Sequence, residues 1–193
     1  MWWRLKHAGT GGKFLRILQG LYQDTKCAVR VGGRLTDLFP SSIGLKQGCL
    51  LSPILFSILI DDLAKEIKNL NIGVEIGDTL LSILLYADDI AILASTPEEL
   101  QLMLDTTHMW LKNWRLTLNG KKSKVVHFRP KSVKQVEHNF HCGPTDIDLA
   151  KTYTYLGFLF HEHNVLTVGA QALAQSASKA LSALLCKTRN FGG

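Results

Sequence analysis

The stretch Tyr86-Ala87-Asp88-Asp89 lies between two apolar runs, residues 79–85 and 90–94. This pattern predicts two buried strands joined by a tight turn that carries both carboxylates. Burial of an ionised carboxylate costs several kcal/mol unless a partner compensates its charge, and residues 69–111 contain no Lys or Arg. A divalent cation would compensate it, because Mg²⁺ binds one or two carboxylates together with substrate phosphates. The alternative is a polar hairpin turn in which each Asp hydrogen-bonds only nearby backbone.

Helices and short hairpins are predicted before the acidic turn. Apolar residues at helical spacing predict a helix over residues 13–22, and the alternation that follows predicts a hairpin turned at Gly32-Gly33. Ser52-Pro53 is typical of an N-cap and a first helical position, so we expect a helix to about residue 68 that is deeply buried in its first half. A second hairpin, turned at Gly77-Asp78, leads into the acidic turn.

The sequence after the turn predicts two more long helices. Thr96-Pro97-Glu98-Glu99 has the pattern of a capping box, and the apolar stripe behind it predicts a core-facing helix over 97–114. A short strand is expected over 124–128 and another, rich in aromatic residues, over 152–160. The intervening residues 130–150 predict a loop or small hairpin, and a final helix is expected from about residue 165.

Basic residues exceed acidic ones in this chain. Its 193 residues are 46% hydrophobic, so it can bury the core of one large domain, or of one domain with an appendage. The formal net charge of +6 suits a polyanionic partner without requiring one. A basic run is ordinarily a solvated face, but the six basic residues between 121 and 134 are also candidates for phosphate contact. They are Lys121, Lys122, Lys124, Arg129, Lys131 and Lys134.

The cysteines and histidines give only a weak metal signal. No Cys-x-x-Cys pair occurs, so we expect reduced thiols in an intracellular protein, cytoplasmic or nuclear. Metal binding by His138, His141 and Cys142, or by His161 and His163, is an alternative, although no second cluster of zinc-like spacing completes either group. The N-terminal residues lack an apolar signal core, and the long apolar runs are interrupted. We therefore expect neither secretion nor a membrane span.

Four motifs, taken in order, resemble one family. They are Gln47-Gly48 with Ser52-Pro53 ahead of a long helix, Tyr86-Ala87-Asp88-Asp89, Asn119 with Lys122-Ser123, and Tyr155-Leu156-Gly157. On these motifs the chain resembles the reverse transcriptase domain of non-LTR (LINE-type) retrotransposons. Domains of this family are RNA-directed DNA polymerases. The resemblance covers nearly the whole chain. It depends on the order of the motifs, because each motif alone has a plain structural interpretation as a loop, a turn or a core strand.

The resemblance implies two-metal transfer of a nucleotide onto a primer 3′-hydroxyl, with an RNA template, a DNA primer and deoxynucleoside triphosphates as partners. It implies that Asp88 and Asp89 bind the metal, Mg²⁺ or alternatively Mn²⁺. It also implies that Lys122 lies near the pyrophosphate, where a cation can donate a proton or offset charge. The remaining implied contacts are Gln47 and Gly48 with the incoming nucleotide, Tyr86 and Ala87 with the primer end, and Tyr155, Leu156 and Gly157 with the primer strand.

The family's first metal-binding aspartate has no match in this sequence. It lies upstream of the helix that here begins near Trp2, and the chain starts too late to contain it. We expect impaired catalysis, because that carboxylate would bridge both metal ions, and enzymatic activity stays open. The alternative is a non-catalytic basic remnant that binds RNA or an RNA–DNA duplex, and a third hypothesis is a structural protein with an accidental motif. We expect the rest of a retrotransposon polyprotein as a partner.

The order of helices and hairpins predicts an α+β fold. By resemblance it is palm-like: a small antiparallel sheet carries the acidic turn, and helices over 53–68 and 97–114 pack on one face. We expect residues 1–50 to form partial fingers and the entry to the palm. Residues 51–160 are then the palm, and residues 161–193 are a C-terminal helix that begins a thumb.

Overall fold

The computed structural model describes residues 1–41, 44–46 and 48–189. The chain divides into two compact units, Met1–Ala94 and Ser95–Gly193. The elements of the first unit are α1 (Trp2–His7), α2 (Gly12–Tyr22), β1 (Lys26–Cys27), β2 (Arg30–Val31), β3 (Arg34–Leu35), β4 (Phe39–Pro40), α3 (Ser52–Asn69), β5 (Val74–Ile76), β6 (Thr79–Leu81), β7 (Ile83–Tyr86) and β8 (Asp89–Ile92). Those of the second unit are α4 (Pro97–Trp114), β9 (Phe140–Cys142), β10 (Thr145–Ile147), β11 (Thr152–Tyr155), β12 (Phe158–His161) and α5 (Val165–Arg189).

The strands form small antiparallel pairs. Within the described ranges there are six two-stranded sheets, in which β1 pairs with β4, β2 with β3, β5 with β6, β7 with β8, β9 with β10 and β11 with β12. Helices mixed with such pairs make an α+β architecture, as expected. The expected single sheet is not formed in these ranges, because each strand pairs with only one other strand. The palm, fingers and thumb assignments stay predictions.

Helix α3 is buried in both of its halves. The buried residues are Ser52, Leu55 and Ile60 in the first half and Leu63, Ala64 and Ile67 in the second. The expected deep burial of the first half is confirmed only in part, because Ile54 in the first turn is 57% exposed. Leu55 lies in a cluster with Leu5 and Leu18 that joins α1, α2 and α3. Further apolar side chains, including those of Trp2, Tyr22, Leu45 and Leu51, pack around this cluster.

Helix α4 organises the second unit as its sequence predicts. The capping box is confirmed: Thr96 Oγ1 accepts a hydrogen bond from Glu99 N, and Glu99 Oε2 accepts one from Thr96 N. The predicted core-facing side is confirmed, and its buried residues are Met103, Leu104, Thr107, Trp110 and Leu111. Gln101 joins this helix to β9, since its side chain exchanges hydrogen bonds with the backbone of His141.

Two predicted strands of the second unit were wrong. Residues 124–128 form no strand, and only Val125 makes an isolated parallel bridge, to Leu149. Residues 152–160 form a hairpin instead of one strand, because Leu156 and Gly157 both have positive φ, +49° and +81°, and reverse the chain between β11 and β12. Residues 130–150 were predicted to form a loop or a small hairpin, and they contain the β9–β10 hairpin.

The final helix, α5, packs on β12 and spans Val165–Arg189 as the sequence indicated. Gly169 is at this contact, where an added Cβ would meet the Phe158 ring and would lie 2.8 Å from Leu159 O. Glycine therefore lets the helix approach the strand closely. None of the helices in the described part of the chain combines the length and the apolar character needed to cross a membrane.

Candidate active site

The acidic stretch is the tip of the β7–β8 hairpin. Tyr86 and Asp89 are directly opposed in the antiparallel register, so only Ala87 and Asp88 reverse the chain. Ala87 has a φ of +51°, a left-handed conformation that residues other than glycine seldom adopt. The tight turn is thus confirmed, and it holds the two aspartates next to each other at one end of the hairpin.

The turn is exposed, contrary to the expectation that its carboxylates are buried. Tyr86 is 64% exposed, and Ala87, Asp88 and Asp89 are exposed as well. In β7 only Ile83 is buried, because a hairpin two strands wide covers little of its own surface. Exposed carboxylates remain hydrated, so the cost of burial is not a reason to place a cation here.

The aspartates of the turn nevertheless fit a divalent cation. Among the described residues, neither Asp88 nor Asp89 has a side-chain hydrogen bond or an ion pair that would neutralise it. Adjacent oxygen ligands of this kind suit Mg²⁺ or Mn²⁺, which complete their coordination with water and phosphate oxygens. The same part of the chain has no group of three or more His, Cys, Asp or Glu side chains placed to hold a metal. The turn therefore offers two carboxylate ligands.

The loop before α3 is held by Ser52, although Ser52 is not the N-cap that the sequence suggested. The helix begins at Ser52 itself, after Leu51, and no side chain of the described residues caps it. Ser52 Oγ instead donates to Lys46 O at 2.8 Å and lies 2.9 Å from Tyr22 Oη. The hydroxyl is therefore used to fix the loop rather than the helix terminus.

Of the two residues expected to meet the nucleotide, Gln47 lies outside the described residues. Gly48 is exposed and has a φ of +79°, which only glycine adopts without strain. Cys49 N donates to Lys46 O at 3.2 Å and so closes the turn in which Gly48 lies. Cys49 Sγ accepts a hydrogen bond from the Tyr22 hydroxyl, and this bond lowers the pKa of the thiol.

Lys122 lies in a turn organised by Asn119, which explains their spacing. Asn119 O accepts from the backbone N–H groups of Lys122 and Ser123, each at 3.0 Å, and from Ser123 Oγ at 3.0 Å. Asn119 Oδ1 also accepts from Lys122 N at 3.3 Å. The Lys122 side chain is exposed, and no ion pair to it occurs among the described residues. The turn thus leaves its ammonium group available to an anion.

The residues expected to grip the primer form the tip of the β11–β12 hairpin. Tyr155 pairs with Phe158 across the strands, and Leu156 at the turn is 52% exposed. This hairpin and Lys122 belong to the second unit, whereas the acidic turn and Gly48 belong to the first. Assembly of all these groups into one site stays a prediction.

Two residues of the basic run are not free for phosphate. Lys124 pairs with Asp148, and Arg129 forms an almost fully buried pair with Glu162. The sequence did not identify Asp148, Glu162 or the Tyr22 hydroxyl as partners, because they lie 24 to 33 residues from the groups they contact. No local spacing signals such pairs. The side chains of Lys121, Lys122, Lys131 and Lys134 are exposed.

The chain is similar in sequence to known proteins of one family. The sequence model of the reverse transcriptase (RNA-dependent DNA polymerase) family matches residues 5–160. The chain is 30% identical over 163 residues, 81% of its length, to the retrovirus-related Pol polyprotein from type-2 retrotransposable element R2DM of Drosophila melanogaster. It is 28% identical over 149 residues, 74% of its length, to the Pol polyprotein from type-1 retrotransposable element R2 of Popillia japonica.

A third relative is the RNA-directed DNA polymerase from mobile element jockey of Drosophila melanogaster, 27% identical over 118 residues, or 58% of this chain. The chain spans only 12% to 25% of the lengths of these three relatives. All three are proteins of retrotransposable or mobile elements, and the family match covers all four motifs of the sequence. The chain therefore belongs to the reverse transcriptase family, as a reverse transcriptase domain of the non-LTR, LINE-type class.

Proposed function

We propose that this chain is part of an RNA-directed DNA polymerase whose acidic turn, residues 86–89, holds a catalytic divalent ion. One observation carries the proposal: the β7–β8 hairpin presents Asp88 and Asp89 side by side, exposed and without a neutralising partner among the described residues. Reverse transcriptases use divalent metal ions. We propose Mg²⁺, with Mn²⁺ as a substitute, because oxygen ligands and phosphate suit both ions.

The reaction joins the primer 3′-oxygen to the α-phosphorus of a deoxynucleoside triphosphate and breaks the bond from that phosphorus to pyrophosphate. When bound, the metal supplies charge stabilisation to the attacking and leaving oxygens. Asp88 and Asp89 hold it at the turn. Lys122 offsets the negative charge that develops on the departing pyrophosphate, or donates a proton to it.

The remaining residues bind and orient the substrates. Gln47 and Gly48 meet the incoming nucleotide, where the absence of a Cβ at Gly48 permits close approach of backbone to ligand. Tyr86 and Ala87 flank the primer end, and the exposed turn at Tyr155, Leu156 and Gly157 contacts the primer strand. The template is RNA and the primer DNA. In this scheme residues 1–50 are partial fingers, 51–160 the palm and 161–193 the start of a thumb.

The chain supplies two of the three carboxylates that two-metal transfer requires. Its relatives are much longer polyproteins, so we place the third carboxylate in another part of such a polyprotein. That carboxylate would add a further ligand for the metal ions, so we expect the chain by itself to be an impaired polymerase.

Primer extension tests the proposal. The chain is incubated with an RNA template, a DNA primer, deoxynucleoside triphosphates and Mg²⁺ or Mn²⁺, beside Asp88→Asn and Asp78→Asn variants. Asp78 is a matched control, because it lies in the two-residue turn of the β5–β6 hairpin and is also exposed. We expect weak extension by the wild type and Asp78→Asn, and none by Asp88→Asn. Equal extension by all three would refute the metal role of the turn.

A second candidate function is nucleic-acid binding without chemistry. The net charge of +6 and the exposed side chains of Lys121, Lys122, Lys131 and Lys134 favour it. This candidate predicts no primer extension by any variant. It also predicts, in a separate RNA-binding measurement, equal affinity and equal salt dependence for wild type and Asp88→Asn.

A further inference from the structure

The phenol of Tyr22 joins the end of α2 to the loop that precedes α3. Its Oη lies 2.9 Å from Ser52 Oγ and 3.6 Å from Cys49 Sγ. Ser52 Oγ donates its own proton to Lys46 O. The Tyr22 proton is then directed at Ser52 Oγ and Cys49 Sγ, which belong to the end of the loop next to α3.

Lys46 fixes the N-terminal part of the same loop. Its carbonyl accepts from Cys49 N and from Ser52 Oγ, at 3.2 and 2.8 Å. Its Nζ donates to Leu21 O and lies 5.6 Å from the centre of the Tyr22 ring, a distance at which a cation is attracted to the ring face. Both ends of the segment that contains Gly48 are therefore tied to the last turn of α2.

The Tyr22 ring has a separate role in packing. It contacts Trp2 edge to face, with ring centres 5.8 Å apart, and lies against the cluster of Leu5, Leu18 and Leu55. Leu45 and Leu51 of the loop pack around the same cluster. A phenylalanine at position 22 would keep these apolar contacts and lose only the hydroxyl, so the two roles can be separated by one substitution.

We propose that the Tyr22 hydroxyl is a positioning group for the turn that contains Gly48, and that through Gly48 it sets the affinity of the chain for the incoming nucleotide. The inference rests on the proposed function, in which Gly48 meets the nucleotide. The physical reason is preorganisation: a loop already held at Lys46 and Cys49 loses less conformational freedom when a ligand binds.

The test uses the full chain with Cys27→Ser and Cys186→Ser, which removes the two exposed thiols and leaves Cys49 as the accessible one. Tyr22→Phe is compared with Tyr153→Phe, whose hydroxyl makes no hydrogen bond within the described residues. Ser52→Ala is compared with Ser57→Ala, which loses only a bond to Pro53 O. Two quantities are measured: the affinity for a deoxynucleoside triphosphate with Mg²⁺, and the pH at which iodoacetamide alkylation of Cys49 is half-maximal.

We expect Tyr22→Phe and Ser52→Ala to weaken nucleotide binding by about three- to tenfold, the usual effect of one hydrogen bond. Tyr22→Phe should also move the alkylation midpoint to higher pH, because the thiol loses the bond that lowers its pKa. The two control variants should change neither quantity. An unchanged midpoint and affinity in Tyr22→Phe would overturn the positioning role alone. If Tyr22→Phe moves the alkylation midpoint but the wild type binds no nucleotide, the proposed function fails and the nucleotide part of this inference fails with it.

Discussion

Arg129 Nη2 lies 3.0 Å from Glu162 Oε2, and the two side chains are only 11% and 6% exposed. Two further bonds accompany this pair: Arg129 N donates to Glu162 O at 3.0 Å, and Arg129 Nη1 donates to Val133 O at 2.7 Å. Glu162 directly follows β12, so the pair ties the basic segment to the end of the β11–β12 hairpin. The Arg129–Glu162 pair thus connects the basic segment around Arg129 to the β11–β12 hairpin, whose tip we assign to the primer.

Glu162→Gln should destabilise the second unit strongly. The substitution leaves the Arg129 charge buried without an anion, which costs about 3–5 kcal/mol. The control is Asp148→Asn, because Asp148 pairs with Lys124 but is 76% exposed, and an exposed pair contributes less than about 1 kcal/mol. The free energy of unfolding is measured with urea for both variants. Losses of equal size would show that the Arg129–Glu162 pair is no more important than a surface pair.

Gly169→Ala and Gly20→Ala should have opposite effects on stability. A Cβ at Gly169 would meet the Phe158 ring and Leu159 O, and crowding of this kind costs about 1–3 kcal/mol. Gly20 is also helical, but no atom of the described residues lies within 4 Å of an added Cβ there, so alanine should stabilise the chain by up to about 1 kcal/mol. Thermal unfolding of both variants measures the difference. A stabilising Gly169→Ala would refute the close packing of α5 on β12.

The local sequence predicted the elements of the fold well and their pairing less well. The capping box at Thr96, the acidic turn and the final helix depend on neighbouring residues, and each was confirmed. The strands after α4 were harder to predict. Val125 has strand-like neighbours, but it finds only one bridge partner, Leu149, and no sequence spacing reveals how many partners a segment will find.

Stability should fall at alkaline pH through Cys142. Burial, and secondarily the charge of Asp105, raises the pKa of this thiol in the folded chain. The unfolded chain therefore releases the proton first. The contribution to stability is complete below the ordinary thiol pKa of about 8.5 and is lost as the pH rises through the folded pKa.

The measurement is the free energy of unfolding at about pH 7.5 and about pH 9.5, on either side of that ordinary value. Cys142→Ala should show a smaller loss between the two than the wild type. Cys27→Ala is the control, because Cys27 is exposed, and it should behave like the wild type. A wild-type loss that Cys142→Ala reproduces in full would assign the pH dependence to other groups.

Lys131→Ala should reduce the salt dependence of RNA binding more than Lys124→Ala. Lys131 is exposed and unpaired among the described side chains, whereas Lys124 is already neutralised by Asp148. Each phosphate contact contributes about 0.7 to the logarithmic salt slope of a single strand, and loss of one contact should lower the slope by that amount. The slope is obtained from RNA affinities at several salt concentrations. Equal slopes for the two variants would show that the local ion pair does not govern phosphate contact.

The candidate site was predictable from the sequence only in part. The order of the motifs identified the family, and the turn at Asp88 and Asp89 formed where expected. The prediction that the turn is buried was wrong, because an apolar run in the sequence does not show how many strands will cover that run in the fold. The Tyr22 hydroxyl was missed for a similar reason, since its contact with Ser52 is made only after α2 and α3 pack together.

The central claim is that the turn at residues 86–89 binds a divalent ion, and Mn²⁺ binding tests it most directly. Binding is followed by electron paramagnetic resonance for the wild type, Asp88→Asn and the matched Asp78→Asn, without nucleic acid. We expect Asp88→Asn to weaken Mn²⁺ binding at least about tenfold, the cost of losing one of two carboxylate ligands, and Asp78→Asn to bind like the wild type. Equal Mn²⁺ affinity in wild type and Asp88→Asn would contradict the account.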